Sequence, residues 1–410
     1  MRAMRAGETF EEIRLLEPRA AIASYLDAVP LTPPRGTERV QLASAHGRIL
    51  ARDAVADADY PADDRSTMDG FALRSADGAA ARRIVGAVRM GAAPPGPIAA
   101  GEAMRIPTGG VLPPGADAVL PLEDADAEGD RLLPHEAPEP RACFTPRGED
   151  MRRGDLVVRA GRRIGAPELS VLATLGIVDV EVFARPVVAV VSTGDELVDA
   201  ALRAATGQVR DSNRWAIAGA LAALGCDVVH LPPARDEPEI VRGRIADALS
   251  RADAVVLTGG SSVGGRDCVP ATIDALGRPG VVVHGLKVKP GKPAVFGAVG
   301  RAPIVGLPGN PASALTILDA VAAPIFRALT GERHARRAVV PSVAAVPFAG
   351  RPGWTWYVPA VLGAEGARPL PLRSSHTALL ARADGYVILG PDHVHIAAGE
   401  PLEIAPYARP

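Results

Sequence analysis

Four short segments hold the residue types from which a site for a phosphorylated ligand is made. Thr258-Gly259-Gly260-Ser261-Ser262-Val263-Gly264 places three glycines and three hydroxyls in succession. Glycines let consecutive backbone N–H groups close on a phosphate, and hydroxyls add donors without bulk. It is not a Walker loop. Gly259 and Gly264 have that motif's spacing, but Gly265-Arg266 stands where Gly-Lys-Ser/Thr is required. Ser192-Thr193-Gly194-Asp195-Glu196 brings two carboxylates next to a hydroxyl and a glycine. Lys287-Val288-Lys289-Pro290-Gly291-Lys292-Pro293 spaces ammonium groups around a Pro-Gly turn, and Gly306-Leu307-Pro308-Gly309-Asn310-Pro311-Ala312-Ser313 fixes backbone direction ahead of a helix.

The surrounding pattern says what must position these segments. Apolar runs at 187–191, 228–231, 254–257 and 304–307 have the length of buried strands. Between them, Ile217, Ala220, Leu221 and Leu224 share one helical face, and Val241, Ile245, Ala248 and Leu249 another. This is the alternation of a doubly wound α/β domain with parallel strands, expected over 186–332. Ligands of such sheets bind beyond the carboxyl ends of the strands, where these loops fall. Asp195, Glu196 and Asp267 with Lys289 and Lys292 would then give one sheet edge the carboxylates and cations that a magnesium-bound phosphoanhydride needs. Each loop also has a plain structural reading: a cap, a solvated lysine pair, a rigid strand-to-helix joint. Cys268 has no histidine placed to activate it and reads as a buried, inert thiol.

The flanks differ in texture. A helix is expected over 13–29 and a second over 167–176. From 57 to 147, short Val, Ile and Leu runs alternate with Pro-Pro-Gly and Pro-Thr-Gly-Gly turns, as in a β-rich domain inserted into the first. The expected domains are thus 10–56 with 145–185, 57–144, 186–332, and a small β domain at 337–410. The 45 basic and 47 acidic residues leave a formal charge of −2, no overall field for nucleic acid or an anionic membrane. Three scattered cysteines make no disulfide framework, and no signal sequence or apolar stretch of membrane-spanning length is evident. A cytoplasmic protein is expected.

The motifs together resemble a known family. Thr258 to Asp267, Lys289-Pro-Gly-Lys-Pro293 and Leu307-Pro-Gly-Asn-Pro311 resemble the signature loops of the molybdopterin molybdenumtransferases, which include the gephyrin E domain. Asp64-Arg-Ser-Thr-Met-Asp-Gly-Phe-Ala72, Ile106-Pro-Thr-Gly-Gly110, Gly115-Ala-Asp-Ala-Val119 and Arg147-Gly-Glu-Asp150 are similar to further segments of that family, in the same order. The resemblance implies an α/β multidomain fold: a molybdopterin-binding α/β domain, a β-rich inserted domain, a mixed N-terminal domain and a C-terminal β-barrel-like domain. It also implies an elongated homodimer in which the α/β domain of one subunit faces the inserted domain of the other.

The implied reaction takes adenylylated molybdopterin and molybdate, cleaves the pyrophosphate link with magnesium, and releases AMP. Gly259, Gly260, Ser261, Ser262, Gly264, Thr193 and Gly194 would hold pterin or phosphate, with Pro308, Gly309, Asn310 and Ser313 beside them. Asp267, Glu196 and Asp195 would position metal, and Lys289 and Lys292 would attract oxyanions. Asp64, Asp69, Thr108 and Asp150 would complete the cleft from the partner chain, although turn formation explains them locally. Expected partners are the adenylyltransferase that supplies the substrate and downstream cofactor-handling proteins. Two positions depart from the family: Pro270, where a basic residue is frequent, and the 356–358 strand, where an arginine is frequent. Arg266, and Arg351 or Arg373, would compensate. A molybdopterin adenylyltransferase and a non-enzymatic dimeric scaffold are the competing readings.

Overall fold

The computed structural model describes residues 15–260, 268–335, 337–371, 373 and 375–407. They fall into two compact units, divided at Arg52/Asp53, Ala160/Gly161, Leu169/Ser170 and Val178/Asp179.

The larger unit is built on a sheet in which β1 (Val187–Ser192) has β2 (Asp227–His230) on one side and β3 (Ala254–Thr258) on the other. Beyond β3 lie three more strands: β6 (Ala302–Leu307), β5 (Val295–Val299) and β4 (Pro279–His284), in that spatial order. Strands β2, β1, β3 and β6 are parallel, as the alternation of apolar runs and helices requires. The sheet is not parallel throughout, however, because β5 runs antiparallel to both neighbours. The reason is local. The chain turns back within 285–294, where the Gly285 N–H donates to the Ala294 carbonyl (2.8 Å), and so short a link cannot make a parallel crossover.

Alternate residues of β1 serve opposite faces of this sheet. Val188 and Val190 pack with Ile217 and Leu221 of helix α1 (Asn213–Ala223), with Tyr25 of the helix Pro18–Ala28, and with Phe326. Ala189 and Val191 pack with Val241, Ile245 and Ala248 of helix α2 (Pro238–Arg251). Both helical faces anticipated from spacing are therefore on the sheet, and each fully buried aliphatic side chain contributes ~1.5–3 kcal/mol. The stretch Pro311–Thr330 is 20 residues long and apolar enough to cross a bilayer, yet 67% of its most apolar window is buried inside the protein. It is a core helix, with a π-helical turn at Leu318–Ala322.

That turn is braced by the C-terminal strands. Thr355–Gly363, Gly385–Leu389, Pro401–Pro406 and Val340–Val343 pair in sequence across a sheet, with Gly366–Pro369 on the other side of the first. Ala344 then bridges Ala367, so the ribbon closes on itself like a barrel. From this ring Tyr386 donates its hydroxyl to Asp319 Oδ2 (2.6 Å), and Tyr407 and Thr316 share a hydrogen bond of 3.3 Å. The Arg337 guanidinium donates to the Asp319 carbonyl (2.8 Å).

The smaller unit carries its own six-stranded sheet. The order is Ala118–Pro121, Gly70–Leu73, Glu102–Ile106, Arg82–Ala87, Arg131–Pro134, Ala125–Glu128, antiparallel except between the third and fourth. Gly70 sits where any Cβ would land on the Leu120 carbonyl, which accounts for the glycine of the Met68-Asp-Gly-Phe motif.

Burial pushes the phenols of Tyr357 and Tyr407 up to about 12, from an ordinary 10.0. A raised folded-state value means these phenols stay protonated in the folded chain while the unfolded chain ionises. Their contribution is intact below pH 10 and lost as pH rises toward 12. Melting temperature should accordingly fall across pH 10–12, and Tyr407→Phe should flatten that fall while lowering stability at neutral pH by ~1 kcal/mol. An unchanged alkaline slope in the variant would contradict this.

Candidate functional site

Strands β1, β3 and β6 end level with one another: Ser192 is in register with Thr258, and Thr258 with Leu307. Three of the four chemistry-bearing loops leave from these ends, so the sheet itself brings them together. The Thr193 N–H donates to the Thr258 carbonyl (2.8 Å) and the Gly259 N–H to the Leu307 carbonyl (3.2 Å). Ser192 and Thr258 share a buried hydrogen bond between hydroxyls (3.2 Å).

The loops then crowd too closely for side chains. A Cβ on Gly259 (φ +93°) would land on the Thr193 carbonyl oxygen, and one on Gly260 (φ +62°) would lie 2.9 Å from Thr193 Oγ1. A Cβ on Gly309 would be 3.4 Å from the Gly259 Cα. The glycines thus let three backbones meet at one corner, with positive φ at the first two that L side chains rarely adopt. Gly194 is tied down by its N–H to the Ala234 carbonyl (3.0 Å). Ser261, Ser262, Gly264, Arg266 and Asp267 lie outside the described residues.

The two rims of this corner differ in charge. Asp195 and Glu196 are both exposed on the loop after β1, Asp195 Oδ1 accepting the Asp236 N–H at 3.3 Å. On the other side, β5 starts beside the end of β6, Val295 being paired with Gly306, so the lysine turn between β4 and β5 reaches the same edge. Any Cβ on Gly291 would land on Ile317, placing this turn directly against the helix that follows Pro308-Gly309-Asn310. Val288–Lys289 is also a short strand, parallel to Thr355 and Trp356 of the C-terminal ring. The three lysines have separate fates. Lys287 lies 3.9 Å from Glu17, Lys292 stands over the Trp354 ring at 6.0 Å, and Lys289 is exposed.

Other anticipated residues differ in exposure. Ser313 is buried on its helix, Pro308 is buried beneath the corner, and Asn310 is the exposed residue preceding the helix. Pro270 falls in the first turn of the helix Val269–Leu276, where its missing N–H costs nothing. Val358 belongs to the core of the C-terminal ring, and Arg351 and Arg373 are exposed.

In the smaller unit Asp69 and Thr108 are brought together: Asp69 Oδ1 accepts the backbone N–H (2.7 Å) and the hydroxyl (2.9 Å) of Thr108. These two donors hold the Asp69 carboxyl below the usual carboxylate range. Asp64 accepts the Arg147 N–H (2.7 Å), and the Asp150 N–H reaches the Tyr60 carbonyl (3.1 Å). The loops 60–64 and 147–150, far apart in sequence, are thereby clasped together. Among the described residues, no group of three or more His, Cys, Asp or Glu side chains is arranged to hold a metal by itself.

Asn213 escapes the reading from sequence. Its Nδ2 donates to the Gly309 carbonyl (2.7 Å), joining α1 to the glycine corner. Asp211-Ser212-Asn213 ahead of a helix looks only like a cap, and nothing in that signal tells which loop the amide meets.

A parallel-stranded edge with a glycine corner between an acidic and a basic rim is the arrangement of the α/β class, whose members hold ligands beyond the carboxyl ends of their strands. Comparison with known proteins narrows this class. Residues 16–176 match the family model described as MoeA N-terminal region (domain I and II), 189–328 a probable molybdopterin binding domain, and 341–407 the MoeA C-terminal region (domain IV). The molybdopterin molybdenumtransferase of Haemophilus influenzae is 31% identical over 398 residues, spanning 94% of this chain and 97% of its own. Molybdopterin molybdenumtransferase 1 of Mycobacterium tuberculosis is 31% identical over 411 residues, spanning 90% and 94%. A crystal structure of the molybdopterin biosynthesis MoeA protein of Pyrococcus horikoshii superposes with a TM-score of 0.75 at 30% identity, over 96% of this chain and 99% of that one. The chain belongs to the molybdopterin molybdenumtransferase family, transferase enzymes of molybdenum cofactor biosynthesis.

The glycine corner can be tested against a glycine with room around it. Gly243→Ala, in mid-helix with nothing within 4 Å of the new Cβ, should stabilise by ~0.5–1 kcal/mol. Gly259→Ala should destabilise by about 2 kcal/mol or more and weaken ligand binding. Equal effects of the two changes in urea denaturation would contradict the close approach.

Proposed function

We propose that this enzyme inserts molybdenum from molybdate into adenylylated molybdopterin, releasing AMP. The observation that carries the reading is the meeting of Thr193, Gly259 and Gly309 at one strand edge, between the carboxylates of Asp195 and Glu196 and the ammonium of Lys289. A glycine corner accepts the anhydride phosphates. Lys289 and Lys292 draw the molybdate dianion to the same edge by charge.

Magnesium fits the donor set. Two exposed carboxylates are too few for an all-protein cage but are what magnesium takes when phosphate oxygens and water supply the rest. Asp195, Glu196 and Asp267 would hold it, and when bound it would neutralise charge on the anhydride. The residues of the chain do the remaining work. The backbone N–H of Gly260 orients the phosphates, Gly259 being tied to the Leu307 carbonyl, and the lysines offset the charge that accumulates as AMP departs. Pro308, Gly309, Asn310 and Ser313 shape the floor, and Thr193 and Gly194 the wall. The protein acts as a cytoplasmic homodimer, and a second copy brings Asp64, Asp69, Thr108 and Asp150 over the cleft. The family resemblance of both sets of motifs supports this part of the reading.

The purified protein should release AMP from adenylylated molybdopterin only when molybdate and magnesium are both present. Formation of the adenylate from ATP and molybdopterin would instead mark an adenylyltransferase. Lys289→Ala should raise the KM for molybdate about tenfold. Lys287→Ala should change it little, since Glu17 already holds that ammonium.

Shared sites make a further demand. Lys289→Ala and Asp69→Ala, each depressed alone, should recover about one quarter of wild-type activity when unfolded and refolded together, because half the dimers are mixed and each mixed dimer has one intact site. Recovery of nothing would show that each chain builds its site alone.

A further inference from the structure

Buried polar atoms are normally paired, and each exception invites an explanation. Near the carboxyl end of β1, Asp211 Oδ2 and Arg214 Nε lack hydrogen bonds but face each other as an ion pair at 4.0 Å. Thr193 Oγ1 and Asn213 Oδ1 have no such opposite. Thr193 is only 4% exposed, and its hydroxyl borders the Gly259-Gly260 turn. The Asn213 amide borders the same corner through Gly309. Its orientation is not free: the Gly309 carbonyl accepts only from Nδ2, so the unfilled end is the oxygen.

This fixes what is missing chemically. An amide oxygen can only accept. Phosphate oxygens and molybdate are acceptors too, so neither satisfies Asn213 Oδ1. The missing partner carries N–H or O–H. In a ligand that joins a pterin to a nucleotide through phosphates, O–H groups lie on the ribose and N–H groups on the heterocyclic edges, and a sugar phosphate without a base separates the two.

Resting on the functional reading above, we propose that Thr193 Oγ1 and Asn213 Oδ1 receive the N–H edge of the ligand's heterocycle, so that this corner distinguishes a ring from a bare oxyanion. The pterin and the adenine both carry such an edge, and the two sources separate by experiment. Thr193→Val preserves shape and removes the hydroxyl. Binding of AMP, of ribose 5-phosphate, of molybdopterin and of inorganic phosphate to the intact protein is measured by calorimetry, with Thr193→Ser as the hydroxyl-retaining control and Asn213→Ala as the second variant.

The expected result is about tenfold weaker binding of AMP or of molybdopterin by both Thr193→Val and Asn213→Ala, with phosphate binding unchanged and Thr193→Ser close to wild type. Loss for AMP that ribose 5-phosphate does not share assigns the corner to adenine, loss confined to molybdopterin assigns it to the pterin, and a loss that ribose 5-phosphate shares equally overturns the heterocycle. Because the hydroxyl is unpaired in the free protein, Thr193→Val should also melt about 2 °C higher without ligand. Unchanged binding of both organic ligands, an equal loss for phosphate, or a lower melting temperature would each overturn the proposal. Wild-type protein that binds neither organic ligand would sink the functional reading itself, and this inference with it.

Discussion

The larger unit depends on a backbone approach that leaves no room for a methyl group. At the end of β3 the chain passes so near the Thr193 carbonyl that position 259 must be glycine, and Gly309 closes in from the next strand. Two parallel pairings, β1 with β3 and β3 with β6, force this meeting, since strands in register end together. The sheet's apolar interior therefore does more than stabilise. It sets the level at which three loops emerge, and so the spacing of every polar group at the rim.

The basic rim is positioned differently. Its turn is held from two sides, by contact of Gly291 with Ile317 and by the pairing of Val288–Lys289 with the C-terminal ring. The same ring reaches the helix behind the corner through Tyr386 and Asp319, at a π-helical turn where Arg337 also donates to the Asp319 carbonyl. Glu17, just ahead of the first described helix, draws off Lys287 and accepts from Thr355 as well. Which lysine remains available is thus decided by residues far away in sequence.

Much of this could be read from sequence, and the limits have physical causes. Strands buried on both faces are continuous apolar runs, so 187–191 and 254–257 stood out, as did the helical faces led by Ile217 and Val241. The antiparallel β5 did not, because one apolar run looks the same in either direction and only the tight return at 285–294 decides it. Residue type announced the glycine corner and the charged rims. It could not tell that Lys287 is occupied, that Asp69 grips Thr108, or that Asn213 reaches Gly309 across 96 positions. Those contacts depend on where chain segments return, which no local spacing encodes.

The two residues Val288 and Lys289 have a consequence for modularity. They belong by sequence to the α/β domain yet find their strand partner in the C-terminal ring. A recombination event that exchanged either module alone would leave this ribbon with an unpaired edge. Modules joined in this way share an edge that neither completes alone, however separable they look when drawn as successive segments.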